Sequence, residues 1–263
     1  MLVRRLAAEG HRIFSTEQAR KMAPEVGLSD GYVCQAMHHL ARSGWLVRLR
    51  KGLYALSSSV PGVSPAHEFE VAMAMVRPAA VSHFSAMHYH ELTDQIPHGV
   101  FVMTTTGHWV PRADKARGGV SGYRVGETVY HFVQVKPGRF FGTKEVWIGE
   151  TRVTVTDMER TVIDGLMMPQ YCGGIAEVVH AIAGAHDRLN LERLIEYALK
   201  LDAATAKRLG WALERAGTNR ERLTALQQVA VTGYSKLDPT GPRQGPYDRF
   251  WMIQDNLVGK VTP

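Results

Sequence analysis

Three groups of residues in this sequence are of types that do chemistry. The first is basic and near the N-terminus: Arg48, Arg50 and Lys51 follow a polar set of Gln35, His38, His39 and Arg42. Guanidinium and ammonium groups hold phosphate oxygens, and a glutamine beside them can read a base edge through two hydrogen bonds. The second group is Glu159, Arg160, Thr161 and Asp164. Carboxylates of this kind serve metal-assisted phosphoryl chemistry only if further ligands join them, and the sequence nominates none. Arg160 and Asp164, four apart, share a helix face as an ion pair, and Glu159 reads as a capping-box residue near a helix N-terminus. The third group is His83, His88, His90 and His98. On a helix His88 and His90 point about 200° apart, and the adjacent His38 and His39 about 100° apart, so neither pair converges on one ion. The chain has no HExxH, paired CxxC, GxxxxGK[ST] or GxSxG pattern, so no catalytic residue, metal or cofactor is expected.

The basic group needs a scaffold, and LSDGYVCQAMHHLARSGWLVRLRKGLYAL (Leu28–Leu56) supplies one. Ser29 is an N-cap type ahead of Val33, Ala36, Met37 and Leu40, which recur at helical spacing and mark a buried face. Gly44 ends that helix, and Trp45 to Arg50 alternates as a strand. Lys51-Gly52 is a turn, and Leu53 to Leu56 is the return strand. Upstream, Val3 to Glu9 reads as a first helix, Ile13-Phe14 as a short extended piece, and Ser15 or Thr16 caps a helix to about Met22. Pro24 and Gly27 then turn the chain. The order is that of a winged helix-turn-helix, whose second helix enters the major groove. The candidate DNA contacts are Ser29, Tyr32, Gln35, His38, His39 and Arg42 on the helix, with Arg48, Arg50, Lys51 and Tyr54 on the wing. A protein-docking winged helix with a merely solvated basic face is the competing reading.

Charge placement favours DNA. Residues 1–56 carry nine basic and four acidic groups, so an excess of five of the chain's net +6 sits there. That is the footprint of a nucleic-acid-binding unit. The two cysteines, Cys34 and Cys172, are too few for a disulfide scaffold and suit reduced thiols in a cytoplasm. No apolar run approaches the roughly 18–20 residues of a membrane span, and no export signal is expected.

Ser57–Pro65, SSSVPGVSP, reads as a linker. Beyond it come helices from Glu68 and from Ser82, strands at Val100–Thr105 and Thr128–Val135 around a loop with Gly118, Gly119 and Gly122, and a hairpin of Glu145–Ile148 with Arg152–Val155. Thr156 is expected to cap the next helix, which ends before Pro169. Gly173-Gly174 opens another, and three more follow near Leu191–Lys200, Ala203–Ala216 and Arg220–Val231. Trp251, with Tyr247 and Phe250, is expected to pack the Pro- and Gly-rich tail. The fold class is α+β: residues 1–56 an N-terminal winged helix-turn-helix domain, 57–65 the linker, and 66–263 a larger mixed α+β domain.

Besides the winged helix, three stretches carry a resemblance: SHFSAMHYHELTDQIP (Ser82–Pro97), VTVTDMERTVIDGLMMPQYCGGIAEVVHAI (Val153–Ile182) and YSKLDPTGPRQGPYDRFWMIQDN (Tyr234–Asn256). In this order they resemble the AbiEi family of antitoxins, described as transcriptional regulators of viral defence systems. The resemblance implies the antitoxin of a type IV toxin–antitoxin pair, a bacterial abortive-infection system. It implies a partner AbiEii-type nucleotidyltransferase toxin encoded alongside, neutralised without a stable direct complex. It also implies autorepression through the winged helix at inverted repeats in double-stranded promoter DNA, by a protein that is monomeric off DNA. Glu159, Arg160, Thr161 and Asp164 match the family's "ERT" helix start, and Asp238 and Trp251 its closing segment. Two other readings remain open from the residues themselves: a DNA-directed nuclease-like enzyme and a ligand-sensing regulator.

Overall fold

The computed structural model describes residues 2–113 and 121–257. Gly118 and Gly119 lie outside the described residues. The first unit runs α1 (Leu2–Ala8), β1 (Ile13–Ser15), α2 (Thr16–Met22), α3 (Asp30–Arg42), β2 (Leu46–Arg50) and β3 (Leu53–Leu56). Ser15 is the residue that caps α2: its hydroxyl accepts from the Gln18 N–H at 3.1 Å, and Gln18 Oε1 accepts from the Ser15 N–H at 2.7 Å. This reciprocal pair satisfies two otherwise orphaned donors. Gly27 and Gly44, both with positive φ, terminate the turn before α3 and α3 itself. The strands form an antiparallel sheet in the order β1-β3-β2. Leu6, Phe14, Ala19, Val33, Met37, Leu46 and Leu56 make the core between helices and sheet. A winged helix is therefore present, as its periodicities required.

The second unit is built on α4 (Glu68–Met75), β4 (Ala80–Val81), α5 (His83–Tyr89), β5 (Val100–Thr105), β6 (Tyr123–Val125), β7 (Thr128–Val135), β8 (Thr143–Ile148) and β9 (Thr151–Thr156). Its sheet has the order β6-β7-β5-β4-β9-β8. The β5–β7 and β4–β9 pairs are parallel and the others antiparallel. Every residue of β5 is buried, which is why it opens with the continuous apolar run Val100–Met103 rather than an alternating pattern. Helices α6 (Met158–Met167), α7 (Ile175–Gly184), α8 (Leu191–Leu201), α9 (Ala203–Arg215) and α10 (Thr224–Gln227) follow the sheet. They enclose a second core that includes Ile163, Leu166, Val178, Leu209 and Trp251. The architecture is mixed α+β behind a winged helix. The expected helix Arg220–Val231 is shorter: a 3₁₀ turn over Arg220–Leu223 leads into α10, which stops at Gln227.

The tail is fastened by Trp251, which is fully buried. Its ring lies over Gly210 of α9, where a Cβ would collide with it, and its Nε1–H donates to Glu214. Three two-residue strands, β10 (Ser235–Lys236), β11 (Tyr247–Asp248) and β12 (Ile253–Gln254), close the chain as a small sheet. Tyr247 stays exposed and packs at a tilt against Tyr234 instead of joining Trp251. No helix among the described residues is long and apolar enough to cross a membrane.

The two units share a hydrophobic interior. One face of the winged-helix sheet, through Phe14, Leu46 and Leu56, meets its own helices. The other face, through Ile13, Val47, Leu49, Leu53 and Ala55, packs with Phe69, Val71, Val146 and Ile148 of the second unit. Each buried leucine there contributes about 1.5–3 kcal/mol. The Tyr123 hydroxyl donates to the Leu49 carbonyl at 2.8 Å, and Arg12 pairs with Glu70 at 3.3 Å. The segment 57–65, polar in composition, is strapped down by Val60, which is 3% exposed within the winged-helix core.

Candidate nucleic-acid interface

Helix α3 turns Val33 and Met37 inward, so residues about half a turn away face outward. These are Gln35, His38 and Arg42, all exposed. Ser29 is exposed at the N-cap position, but its side chain makes no bond to the helix N–H groups. Tyr32 and His39 sit on one flank of α3. There they border an apolar groove of about 930 Å³ between α1, α3 and Trp45. The predicted reading set thus divides into an outward trio, a flanking pair and Ser29 at the N-cap.

On the wing, Arg48 and Lys51 are exposed and Arg50 is half-buried. Tyr54 is half-buried too, its ring stacked on Phe14 with centroids 6.4 Å apart. The alternation of β3 directs Tyr54 to the helix side of the sheet with Leu56, so it packs with the winged-helix core instead of standing clear as a contact residue. The tip turn lies beside the start of α2, where the Thr16 N–H donates to the Gly52 carbonyl at 2.9 Å. In helix-turn-helix proteins that first helix crosses the DNA backbone, so the wing tip and α2 N-terminus share the side that DNA would approach.

The basic residues of this unit are treated in two ways. Arg5 pairs with Glu9 and Glu25, Arg12 with Glu70, Arg20 with Asp30 and Lys21 with Glu17. Among the described residues Arg42, Arg48, Arg50 and Lys51 form no ion pair. Four of the uncompensated cations therefore lie on the outward end of α3 and on the wing, a pattern that attracts phosphate, while exposed Arg4 on α1 is unpaired as well among the described residues.

The carboxylate group of the second unit is occupied otherwise. Asp157, not Thr156, is the N-cap of α6, and its Oδ1 accepts from the Arg160 N–H at 2.7 Å. The Thr156 hydroxyl is instead bonded to that of Thr161 at 2.8 Å, deep at the end of β9. Asp157 Oδ2 accepts from the Tyr197 hydroxyl at 2.8 Å. Burial raises the Asp157 carboxyl above its ordinary value, and burial with that carboxylate pushes the Tyr197 phenol up to about 12. Displaced from the box position, Glu159 reaches α8: its Oε1 accepts from the Asn190 N–H at 2.9 Å, and Oε2 meets Arg193 at 3.4 Å.

Arg160 and Asp164 are an ion pair as their spacing implies, but with both side chains fully buried, at 2.8 Å. Arg160 also donates to the Arg139 carbonyl at 2.8 Å and lies 4.4 Å from the centre of the Phe141 ring. The four residues clamp α6 to the sheet, to α8 and to the loop before β8. Asp238 organises the tail, its Oδ1 accepting from the Thr240 N–H and hydroxyl at 2.8 and 2.6 Å.

The histidines do not gather. His88 and His98 are exposed, while His83 and His90 are buried in separate bonds, His83 with the Ser82 hydroxyl at 2.8 Å and His90 donating to the Thr156 carbonyl at 2.7 Å. Burial lowers both below the ordinary histidine value, and for His83 the Asp164 carboxylate opposes this only in part. Among the described residues no three His, Cys, Asp or Glu are placed to hold a metal ion. Cys34 and Cys172 are free thiols, the first exposed and the second buried. Sequence reasoning missed Trp109, whose ring lies 5.3 Å from the Arg50 guanidinium although it belongs to the second unit. No local pattern links the two, because the contact joins a loop to a distant strand.

Residues 1–57 match the family described as "Transcriptional regulator, AbiEi antitoxin". The winged helix is thus similar to the regulator domain of AbiEi antitoxins, and residues 58–263 lie beyond the matched stretch. The crystal structure of the RV2827C protein from Mycobacterium tuberculosis has the same fold. It aligns with a TM-score of 0.71 over 97% of this chain and 90% of its own, at 15% sequence identity. The whole arrangement, AbiEi-like winged helix and mixed unit together, is therefore a fold already seen in a solved protein. No curated protein sequence matches the chain.

Proposed function

We propose that the protein is a DNA-binding transcriptional regulator of the AbiEi antitoxin type, which represses its own operon by binding inverted repeats in the promoter. The observation that carries this reading is that, among the described residues, Arg42 of α3 and Arg48, Arg50 and Lys51 of the wing have no acidic partner, whereas Arg5, Arg12, Arg20 and Lys21 are paired; Arg4 on α1 is a further exposed, unpaired cation of this unit. On this reading Arg42, Arg48 and Lys51 hold phosphates and Gln35 reads a base, with His38 beside it. The test is binding to a duplex covering the sequence upstream of its own reading frame, against a scrambled duplex, over a range of salt. Each lost phosphate contact lowers the slope of log K against log salt by about 0.9. The Arg48→Ala, Lys51→Ala double variant is expected to bind more weakly with a slope lower by about two such steps. Unchanged affinity and slope would overturn the wing assignment.

The second half of the proposal is antitoxin activity without catalysis. Glu159, Arg160 and Asp164 are engaged in structural bonds, which removes the motive for a nuclease reading. The partner is a nucleotidyltransferase toxin encoded in the adjacent frame, and co-expression of the full chain restores growth. The full chain is required because removing residues 1–56 would strip apolar cover from Phe69 and Val71. Persistent growth arrest in the presence of folded full-length protein would refute this half.

A further inference from the structure

We propose that Trp109, from the second unit, is a DNA-contacting residue that extends the wing. This rests on the DNA-binding reading above and adds to it a contact outside the helix-turn-helix. Trp109 follows β5 by a few residues and is 60% exposed, yet its ring stacks with Arg50 of β2 at 5.3 Å. Arg50 is in an unusual state. Its Nε is buried and has no hydrogen-bond partner, and no carboxylate pairs with it among the described residues. A guanidinium whose inner nitrogen is desolvated is strongly favoured by an approaching anion, which its outer amino groups can still reach.

The indole holds the guanidinium plane in one orientation through its π-face, so the phosphate is met by a fixed fork instead of a freely rotating one. Much of the indole is left in solvent, and its partner Arg50 is followed along the chain by exposed Lys51 and preceded two residues earlier by exposed Arg48. Exposed Arg112, three residues further along the same loop, adds positive charge without an ion pair among the described residues. The surface thus joins an exposed aromatic ring to Arg50 of the wing and to Arg112 of the same loop, a combination of stacking platform and positive charge that suits nucleic acid. The wing sheet is fixed to the second unit through Leu49, Leu53 and Ala55, which keeps Arg50 beside the loop that carries Trp109.

The experiment measures binding of full-length wild type, Trp109→Ala, Trp109→Phe and Arg50→Ala to the upstream duplex and to the scrambled duplex across salt. Trp109→Ala is expected to weaken binding about five- to tenfold, the scale of one well-packed aromatic anchor, with the salt slope unchanged because no charge is lost. Trp109→Phe is expected to retain most of the affinity, and Arg50→Ala to lose affinity with a slope reduced by about one phosphate. Thermal unfolding of Trp109→Ala is expected to match wild type, since the ring is outside the core. If wild type prefers the upstream duplex and Trp109→Ala binds equally well, the extension is wrong and the regulator reading stands. If wild type shows no preference for the upstream duplex, both fall.

Discussion

The outward surface of the winged helix and the polar cluster at the start of α6 are built from similar residue types and end in opposite states. Arg42, Arg48 and Lys51 stand in solvent without acidic partners among the described residues. Arg160, Asp164 and Glu159 are buried and bonded to one another's neighbours in helix, loop and sheet. An exposed unpaired cation costs the fold little and stays available to an incoming phosphate. A buried ion pair gives little net stability but is costly to break, because the remaining charge cannot be solvated. On the proposed reading the first set is available to a partner, while the second holds elements in register. His83 belongs with the second set: its Nδ1 is bonded to Ser82, and burial keeps the ring neutral.

The sharpest way to break this contrast is Arg160→Met. It strands the Asp164 carboxylate and is expected to cost about 3–5 kcal/mol of stability, read as a shift of the urea midpoint at constant slope. Replacing both residues by apolar ones should recover much of that loss. DNA affinity of the folded fraction should not change; a fall in affinity at full stability would place Arg160 in the interface after all. The mirror-image substitution is Gln35→Ala. It should leave stability within about 0.5 kcal/mol while removing about 1–3 kcal/mol of discrimination at one base pair, measured on a panel of single-base-variant duplexes. An even loss across the panel would reassign Gln35 to backbone contact.

The smallest expected effect is on pH dependence. His83 and His90 have lowered values when folded, so the unfolded chain binds more protons than the folded one below the ordinary histidine value. Stability is then complete above about pH 6.5 and declines as pH falls from there towards the lowered folded values. Asp157, raised by burial, acts with the opposite sign and in the carboxylate range: its contribution is lost as pH rises through its folded value. Urea midpoints compared at about pH 7.5 and about pH 5.5 should differ in wild type and differ less in His83→Gln. An unaltered pH response in that variant would remove His83 as the source.

Much of this was legible in the chain because it depends on neighbours in sequence. The spacing of Val33, Ala36, Met37 and Leu40 fixes which side of α3 is inward, and hence that Gln35, His38 and Arg42 face out. Val100–Thr105 and Thr128–Val135 are strands at the bounds their composition implies. The i, i+4 relation of Arg160 and Asp164 is local and implies the pair that forms. The capping of α6 was displaced by one residue, since Thr156 is drawn into the sheet and bonded to Thr161, leaving Asp157 to cap.

The winged helix, its outward residues and the concentration of positive charge there follow from local sequence, because periodicity and capping act over a few residues. Tertiary structure alone decided which of those charges remain free, since Glu25 and Glu70 reach Arg5 and Arg12 only after folding. It also decided that Tyr54 faces the core, that Val60 straps the segment 57–65, and that Trp109 comes to lie on Arg50. Each of these depends on surfaces brought together from distant parts of the chain, and burial, not residue type, sets whether a charge is available to a partner.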